Sequence, residues 1–340
     1  MTETLTRPTS SVLTFTPMTP NNCRTGERVL DEVHVGRDDW LFLNGGTNQP
    51  IKLFTDPTFF KDRHIEGWID RIRHRGTEIE AIGAQYFHMF APEKISVMYE
   101  EYEAELPLFD RRPCKVIRDR LEAEGLSRFY LDLEEPFRAA KATQPVYRKT
   151  DTHWAPEGTY LALTLICERL GVAPAVKLAD RMYRERVVAG DLGSKLDPKH
   201  SELWRNYRFL QNASRIAGNG LVQEADKVKG AFPGGLLSGS HVVFRNESPD
   251  AHDLRVMVFG DSFCEVRPGN GLTNMLAETF RELHFFWSSS VDLDEVRAAS
   301  PDVVISELAE RFAVVLPNDQ RSLKEYAEGR LQAYLEKKAV

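Results

Sequence analysis

The sequence predicts an α/β fold in which a mostly parallel sheet carries helices on both faces. Short apolar runs at Gln85–Phe90, Leu254–Phe259, Leu283–Trp287 and Val303–Ser306 read as buried strands. Helical patterns separate them, and strands alternating with helices favour parallel pairing. No internal repeat or long linker interrupts the 340 residues, 42% of which are apolar, enough for a sizeable core.

The elements follow in order. Residues 1–28 carry no periodicity and are rich in Thr, Pro and Ser, so they are expected to form a flexible arm. Val35–Leu43 reads as a short strand closed by the turn Asn44-Gly45-Gly46. From Pro57 to about Ile82 the pattern is helical, with Phe60, Ile65, Trp68, Ile69 and Ile72 on one face and a possible break at Gly76. The strand at 85–90 ends at Ala91-Pro92-Glu93-Lys94, because proline cannot donate to a ladder. Val116–Glu124 looks helical and Phe129–Leu133 looks like a second short strand. Tyr147–Trp154 is a polar loop, and a helix starts near Pro156 and stops at Gly171. Residues 172–250 mix short apolar pieces with Gly-rich turns and are expected to form an irregular insertion or cap. After Phe259 come a helix from about Gly271 to Arg281, two further strands, and a last helix over Arg321–Lys337.

Charge and cysteine content narrow the function. The net charge is −7 and Lys and Arg are scattered, which argues against nucleic-acid binding and a polybasic membrane anchor. No run approaches the roughly 18–20 apolar residues of a membrane helix. The first residues lack a basic segment followed by an apolar one, so no secretory signal is read and a cytoplasmic location is expected. None of Cys23, Cys114, Cys167 and Cys264 forms a Cys-x-x-Cys pair, so no zinc ribbon or redox motif is expected.

Two motifs carry chemistry. Gly260-Asp261-Ser262 sits at the carboxyl end of a buried strand, where open α/β sheets place their ligands. A serine there lies near backbone N–H groups and a following helix that can hold an oxyanion; the alternative is a turn with a helix cap. Thr150-Asp151-Thr152-His153-Trp154 offers a base and its orienting acid, since a serine hydroxyl needs a base to become a nucleophile. The alternative is that Asp151 caps the next helix and His153 packs on Trp154. Together the motifs supply Ser262, His153 and Asp151 as nucleophile, base and orienter.

The motifs resemble the alginate O-acetyltransferase group of SGNH-hydrolase-like proteins, the AlgX and AlgJ type. Gly36-Arg37-Asp38-Asp39-Trp40-Leu41-Phe42 is similar to that group's Gly-x-Asp-Gly-Trp-Leu-Phe segment, with Asp39 in place of the usual Gly. Ala91-Pro92-Glu93-Lys94, Tyr147 to Trp154 with Glu157-Gly158, Gly190-Asp191-Leu192 and Gly260-Asp261-Ser262-Phe263 follow in the group's order. The resemblance covers most of residues 35–312. It implies an SGNH-like (flavodoxin-like) three-layer sandwich, with residues 29–340 as the catalytic domain. It also implies an acetyl group moved through Ser262 to or from a carbohydrate hydroxyl, with His153 as base and Asp151 as its orienter. The partners would be a carbohydrate acceptor, an acetyl donor and polysaccharide-assembly proteins. The compartment it implies is the bacterial envelope, at odds with the absent signal.

Arg311, Trp154 and Tyr147 are the candidates for substrate binding. Arg311 could hold a sugar or the oxyanion, or be a structural ion-paired arginine. Trp40 and Trp154 could stack on a sugar ring, or belong to the core. Asn246 is a turn residue or an oxyanion donor. Cys264 reads as a packed thiol. No cofactor and no metal ligand is assigned. Asp151-x-His153 with Gly190-Asp191 also imitates the first motifs of a metallophosphoesterase, but none of the nine histidines follows an Asn, as the usual further ligands would require. A non-catalytic carbohydrate-binding subunit is the other alternative.

Overall fold

The computed structural model describes residues 32–46, 48–228, 232–265 and 271–338. The expected N-terminal arm and Cys23 lie outside the described residues. Ten strands are present among the described residues: β1 Val33–Val35, β2 Leu41–Leu43, β3 Gln85–Ala91, β4 Tyr183–Val188, β5 Glu202–Tyr207, β6 Ala213–Gly218, β7 His241–Asn246, β8 His252–Gly260, β9 Phe280–Trp287 and β10 Val303–Ala309. The main helices are α1 Asp62–Ala81, α2 Pro113–Ala123, α3 Glu134–Ala140, α4 Pro156–Arg169, α5 Leu272–Thr279, α6 Leu293–Ala299 and α7 Leu323–Lys338.

The central sheet has the order β3-β10-β8-β9-β7-β6. Its first four strands are parallel, and β7 and β6 add an antiparallel edge. The apolar runs that announce these strands are buried on both faces: Val256 to Phe259 and Val303 to Ile305 are fully inaccessible. Helix α1 packs on β3 and against α2 and α6, while α4 packs against α5, which lies on β9 and β7. The chain leaves β8 for β9 on one side and returns from β9 to β10 on the other. Such a reversal, here at the carboxyl ends of β8 and β10, is where open α/β sheets bind ligands.

Several elements differ from expectation. The first strand is a hairpin, β1 paired with β2 across a turn at Arg37–Asp39. Asp38 and Asp39 take φ of 50° and 62° there, a left-handed conformation that short polar side chains tolerate and glycine favours. Gly76 does not break α1. A Cβ at that position would lie 2.5 Å from the Phe129 ring, so the glycine allows close packing inside a continuous helix. Phe129–Leu133 is no strand: only Tyr130 bridges His88, beside a 3-10 turn at Ser127–Phe129.

The stretch 172–250, expected to be irregular, holds four strands. β4 and β5 pair as a separate antiparallel ribbon, and β6 and β7 complete the central sheet. The period-2 signal is weak because β6 is an edge strand with four consecutive exposed residues, and β4 has three.

Candidate active site

The nucleophile turn is fixed by the strand beside it. Ser262 follows the end of β8, and the Asp261 carboxylate braces the turn with both oxygens. Oδ1 accepts the Phe263 N–H at 3.0 Å and Oδ2 accepts the Ala309 N–H, at the end of β10, at 2.8 Å. The Asp261 N–H in turn donates to Glu307 Oε2 at 3.0 Å. Burial, with the charge of Asp261 beside it, pushes the Glu307 carboxyl well above its ordinary value. Cys264 is fully buried and burial raises its thiol, so it is a packed thiol.

The histidine loop is held differently. Tyr147 and Trp154 bridge each other, and the Ala155 N–H closes on the Val146 carbonyl at 3.0 Å, so residues 148–153 form a tight loop before α4. Asp151 Oδ1 accepts the His153 backbone N–H at 2.9 Å and the ring Nδ1–H at 2.7 Å. His153 Nε2 lies 2.9 Å from Ser262 Oγ. An ionised carboxylate only accepts, so Nδ1 carries the proton and the Nε2 lone pair faces the serine hydroxyl. Three residues from two distant parts of the chain thus form one hydrogen-bonded relay.

The electrostatics follow from this contact. Burial opposes the Asp151 charge, but the His153 hydrogen bond and charge hold its carboxyl well below the usual range. For His153, burial pushes down, yet Asp151 and Asp191 outweigh it and the imidazole is raised above its ordinary value; Arg311 opposes them.

The loop joining β4 to β5 locks the histidine loop in place. Asp191 Oδ1 accepts the Thr152 N–H at 2.7 Å, Oδ2 accepts the Thr152 hydroxyl, and the Asp191 N–H donates to Asp151 Oδ2 at 3.0 Å. The Thr150 carbonyl accepts the N–H groups of Leu192 and Gly193 at 3.1 and 2.9 Å. Glu202, at the start of β5 and buried, accepts the Thr150 N–H at 2.7 Å and the Thr150 hydroxyl at 2.6 Å. A Cβ on Gly190 would lie 2.3 Å from the Thr150 carbonyl oxygen, so only glycine admits this approach.

Other predicted residues fall elsewhere. Trp154 and Tyr147 are each 1% exposed, which corrects their assignment to substrate binding. Trp154 Nε1–H donates to the Tyr147 hydroxyl at 3.1 Å, that hydroxyl donates to the Pro92 carbonyl, and the indole packs edge-on against Phe263. Both support the loop from beneath, because large rings at a tight loop's base find more apolar contact inside than at the surface. Arg311 is buried and its Nη1 donates to Glu93 at 2.9 Å, with the guanidinium 5.6 Å from the Phe263 ring centre. Trp40 is half-buried under the ammonium groups of Lys94 and Lys149. Asn246 is fully buried at the far end of β7, where its amide donates to the Glu278 carbonyl at 2.7 Å, so it supplies nothing to the site.

Two expectations about the oxyanion also change. The Phe263 N–H is taken by Asp261, and α5 begins only at Leu272, so neither serves Ser262. The Ser262 N–H has no acceptor among the described residues. Asp151, His153 and Asp191 bring ligand-type atoms within 4.8 Å of one another. Each of those carboxylate oxygens already accepts an N–H or O–H, and Nδ1 is bonded to Asp151, so these three donors fit a hydrogen-bonded relay better than a metal.

Asp191 belongs to the Gly190-Asp191-Leu192 motif, which also imitates a metal motif, but its bracing of the histidine loop involves partners about forty positions away. Glu202 is a lone acid at a strand start, and no local pattern marks it.

Residues 33–217 match the family described as SGNH hydrolase-like domain, acetyltransferase AlgX. That is more than half of the chain. The chain belongs to this family. The matched segment contains Asp151, His153 and Asp191 and ends before Ser262. Among curated relatives, the probable alginate O-acetylase AlgJ of Pseudomonas putida is 30% identical over 164 residues, which are 47% of this chain and 36% of that protein. The protein of the same name from Pseudomonas aeruginosa is 27% identical over 225 residues, 61% of this chain and 50% of that protein. The chain therefore spans between about a third and a half of the length of these AlgX-family relatives. The O-acetyltransferase domain of Pseudomonas putida AlgJ superimposes with a TM-score of 0.53 at 18% identity, covering 88% of this chain and 99% of that one. The fold is thus the expected SGNH-like α/β fold. Among the described residues, no helix is long and apolar enough to cross a membrane.

Proposed function

We propose that this chain transfers an acetyl group to or from a carbohydrate hydroxyl through an acetyl-Ser262 intermediate. The observation that carries the reading is the relay Asp151–His153–Ser262, with both contacts under 3 Å. The similarity to probable alginate O-acetylases AlgJ supports the acetyl group and the carbohydrate.

The steps follow from the relay. Ser262 Oγ attacks the donor's carbonyl carbon while His153 Nε2 takes the hydroxyl proton. Asp151 stabilises the imidazolium through Nδ1–H and fixes the ring, without itself becoming protonated. In this reading the Ser262 N–H, which has no acceptor among the described residues, meets the developing oxyanion. When the tetrahedral intermediate collapses, the donor's C–O bond breaks and His153 returns the proton to the departing oxygen. An acceptor hydroxyl then gives its proton to His153 and attacks acetyl-Ser262, restoring the serine. Arg311, held over Phe263 by Glu93, is the proposed contact for a substrate oxygen. If water reaches the intermediate instead, the outcome is hydrolysis.

The test is intact mass and ester turnover with an activated acetyl ester, on the wild type and on Ser262→Ala. The expected result is turnover, or a trapped acetyl adduct, in the wild type, with a loss of at least about 10³-fold in the variant. Equal turnover in both proteins would sink the acyl-serine reading.

A further inference from the structure

The relay accounts for Asp151 but leaves a second carboxylate beside the same ring nitrogen. Asp191 Oδ2 lies 3.9 Å from His153 Nδ1, and its side chain is 41% exposed, at the rim of the site. It comes from the β4–β5 loop, not from the histidine loop. Its contacts are arranged around the Asp151-Thr152-His153 turn. Both carboxylate oxygens hold Thr152, the residue between acid and base, and its own N–H holds the Asp151 oxygen that faces away from His153. Gly190 admits the loop at a distance that no side chain permits.

We propose that Asp191 is a positioning residue for His153, clamping the turn through Thr152 and placing a second negative charge beside Nδ1 so that the base is stronger than Asp151 alone would make it. This rests on the acyl-serine reading only for its effect on rate. The geometry concerns His153 itself.

Among the described residues, the charged groups that act on His153 come from three elements. Asp151 lies on its own loop, Asp191 on the β4–β5 loop, and Arg311 follows β10; the first two favour the imidazolium and the third opposes it. On the β8 turn, the Asp261 carboxylate is turned to the Phe263 and Ala309 N–H groups. Removing the Asp191 charge therefore lowers the pH at which His153 loses its proton.

The isosteric variant Asp191→Asn keeps an acceptor for the Thr152 N–H and removes the charge. Thr152→Val keeps the charge and removes one strut of the clamp. Both are compared with wild type by NMR titration of 15N-labelled histidine, by thermal melting, and by the pH profile of kcat/KM with the activated ester. Asp191→Asn is expected to titrate His153 at lower pH than wild type and to move the acid limb of kcat/KM the same way. Its plateau kcat should fall by about tenfold while KM changes little. In Thr152→Val, His153 should titrate above its position in Asp191→Asn. A wild-type titration in Asp191→Asn overturns the proposal, whatever the rate. A Thr152→Val titration that matches Asp191→Asn overturns it as well, since loosening of the loop would then explain both. If the wild type shows no serine-dependent turnover, the acyl-serine reading falls while the titration still decides the role of Asp191.

Discussion

The two halves of the candidate active site are held by different means. Ser262 is carried by the centre of the sheet: it follows the end of β8, and Asp261 ties its turn to the end of the neighbouring β10. His153 stands on a loop outside the central sheet, tied to β2 by the Leu41 N–H on the Lys149 carbonyl at 3.0 Å. Its position depends on a ribbon loop some forty residues later, through Thr150, Thr152, Asp151, Asp191 and Glu202. Ser262 is thus placed by a carboxylate brace inside one sheet, and His153 by a polar network between separate loops. Each hydrogen bond to a carboxylate is worth about 1.5–3 kcal/mol, and those between loops also require both loops to stay in place. The histidine side should be the more fragile half.

The largest effect expected is from Asp151→Asn. An amide can donate to Nδ1 and so favours the wrong tautomer, turning an N–H of His153 towards Ser262 in place of a lone pair. Acetyl transfer should fall by about 10⁴-fold with the thermal midpoint little changed, measured by ester turnover and melting on one preparation. A loss of less than tenfold would mean that His153 is oriented by something other than Asp151.

A paired glycine test compares the halves directly. A Cβ on Gly190 would meet backbone, with the Thr150 carbonyl oxygen at 2.3 Å and its carbon at 2.6 Å; on Gly260 it would meet side chains, with Cys264 Cβ and Glu307 Oε2 each at 2.9 Å. Gly190→Ala must therefore displace the loop that carries the base and should cost about 10²-fold in kcat. Gly260→Ala meets looser contacts, which a small shift of the turn and of the Glu307 carboxyl relieves, and should cost about tenfold or less. The reverse order would show that the sheet end is the more delicate support.

The smallest effect expected is from Trp154→Phe, which keeps an aromatic ring against Phe263 but loses the bond to the Tyr147 hydroxyl. A destabilisation of about 1 kcal/mol, read by denaturant unfolding, with kcat within about threefold of wild type, fits a supporting role. A selective rise in KM for a sugar acceptor, without loss of stability, would instead return Trp154 to the substrate.

Legibility in the sequence follows the same division. The strands at 85, 254, 283 and 303 were readable because strands buried on both faces need unbroken apolar runs, and these need no partner to be recognised. β6 was hidden because four consecutive residues, Ser214 to Ala217, are exposed, which breaks the alternation, and its pairing with β7 spans about thirty residues. Ser262, His153 and Asp151 were each marked by a local pattern of reactive residue types. Trp154 and Tyr147 looked like sugar contacts because a ring's chemistry is the same inside and outside, and only burial tells the two apart.

By itself the sequence determined the α/β class, the strand that leads into the Ser262 turn and the short-range pairing of Asp151 with His153, since each depends on residues within one element or one turn. Tertiary structure alone decided that His153 Nε2 meets Ser262 Oγ across 109 positions, that Asp191 and Glu202 lock the loop, and that Arg311 faces Glu93. Periodicity encodes which face of an element is buried, but a hydrogen bond between distant loops depends on where the whole sheet places their ends, and no local pattern of residues records that.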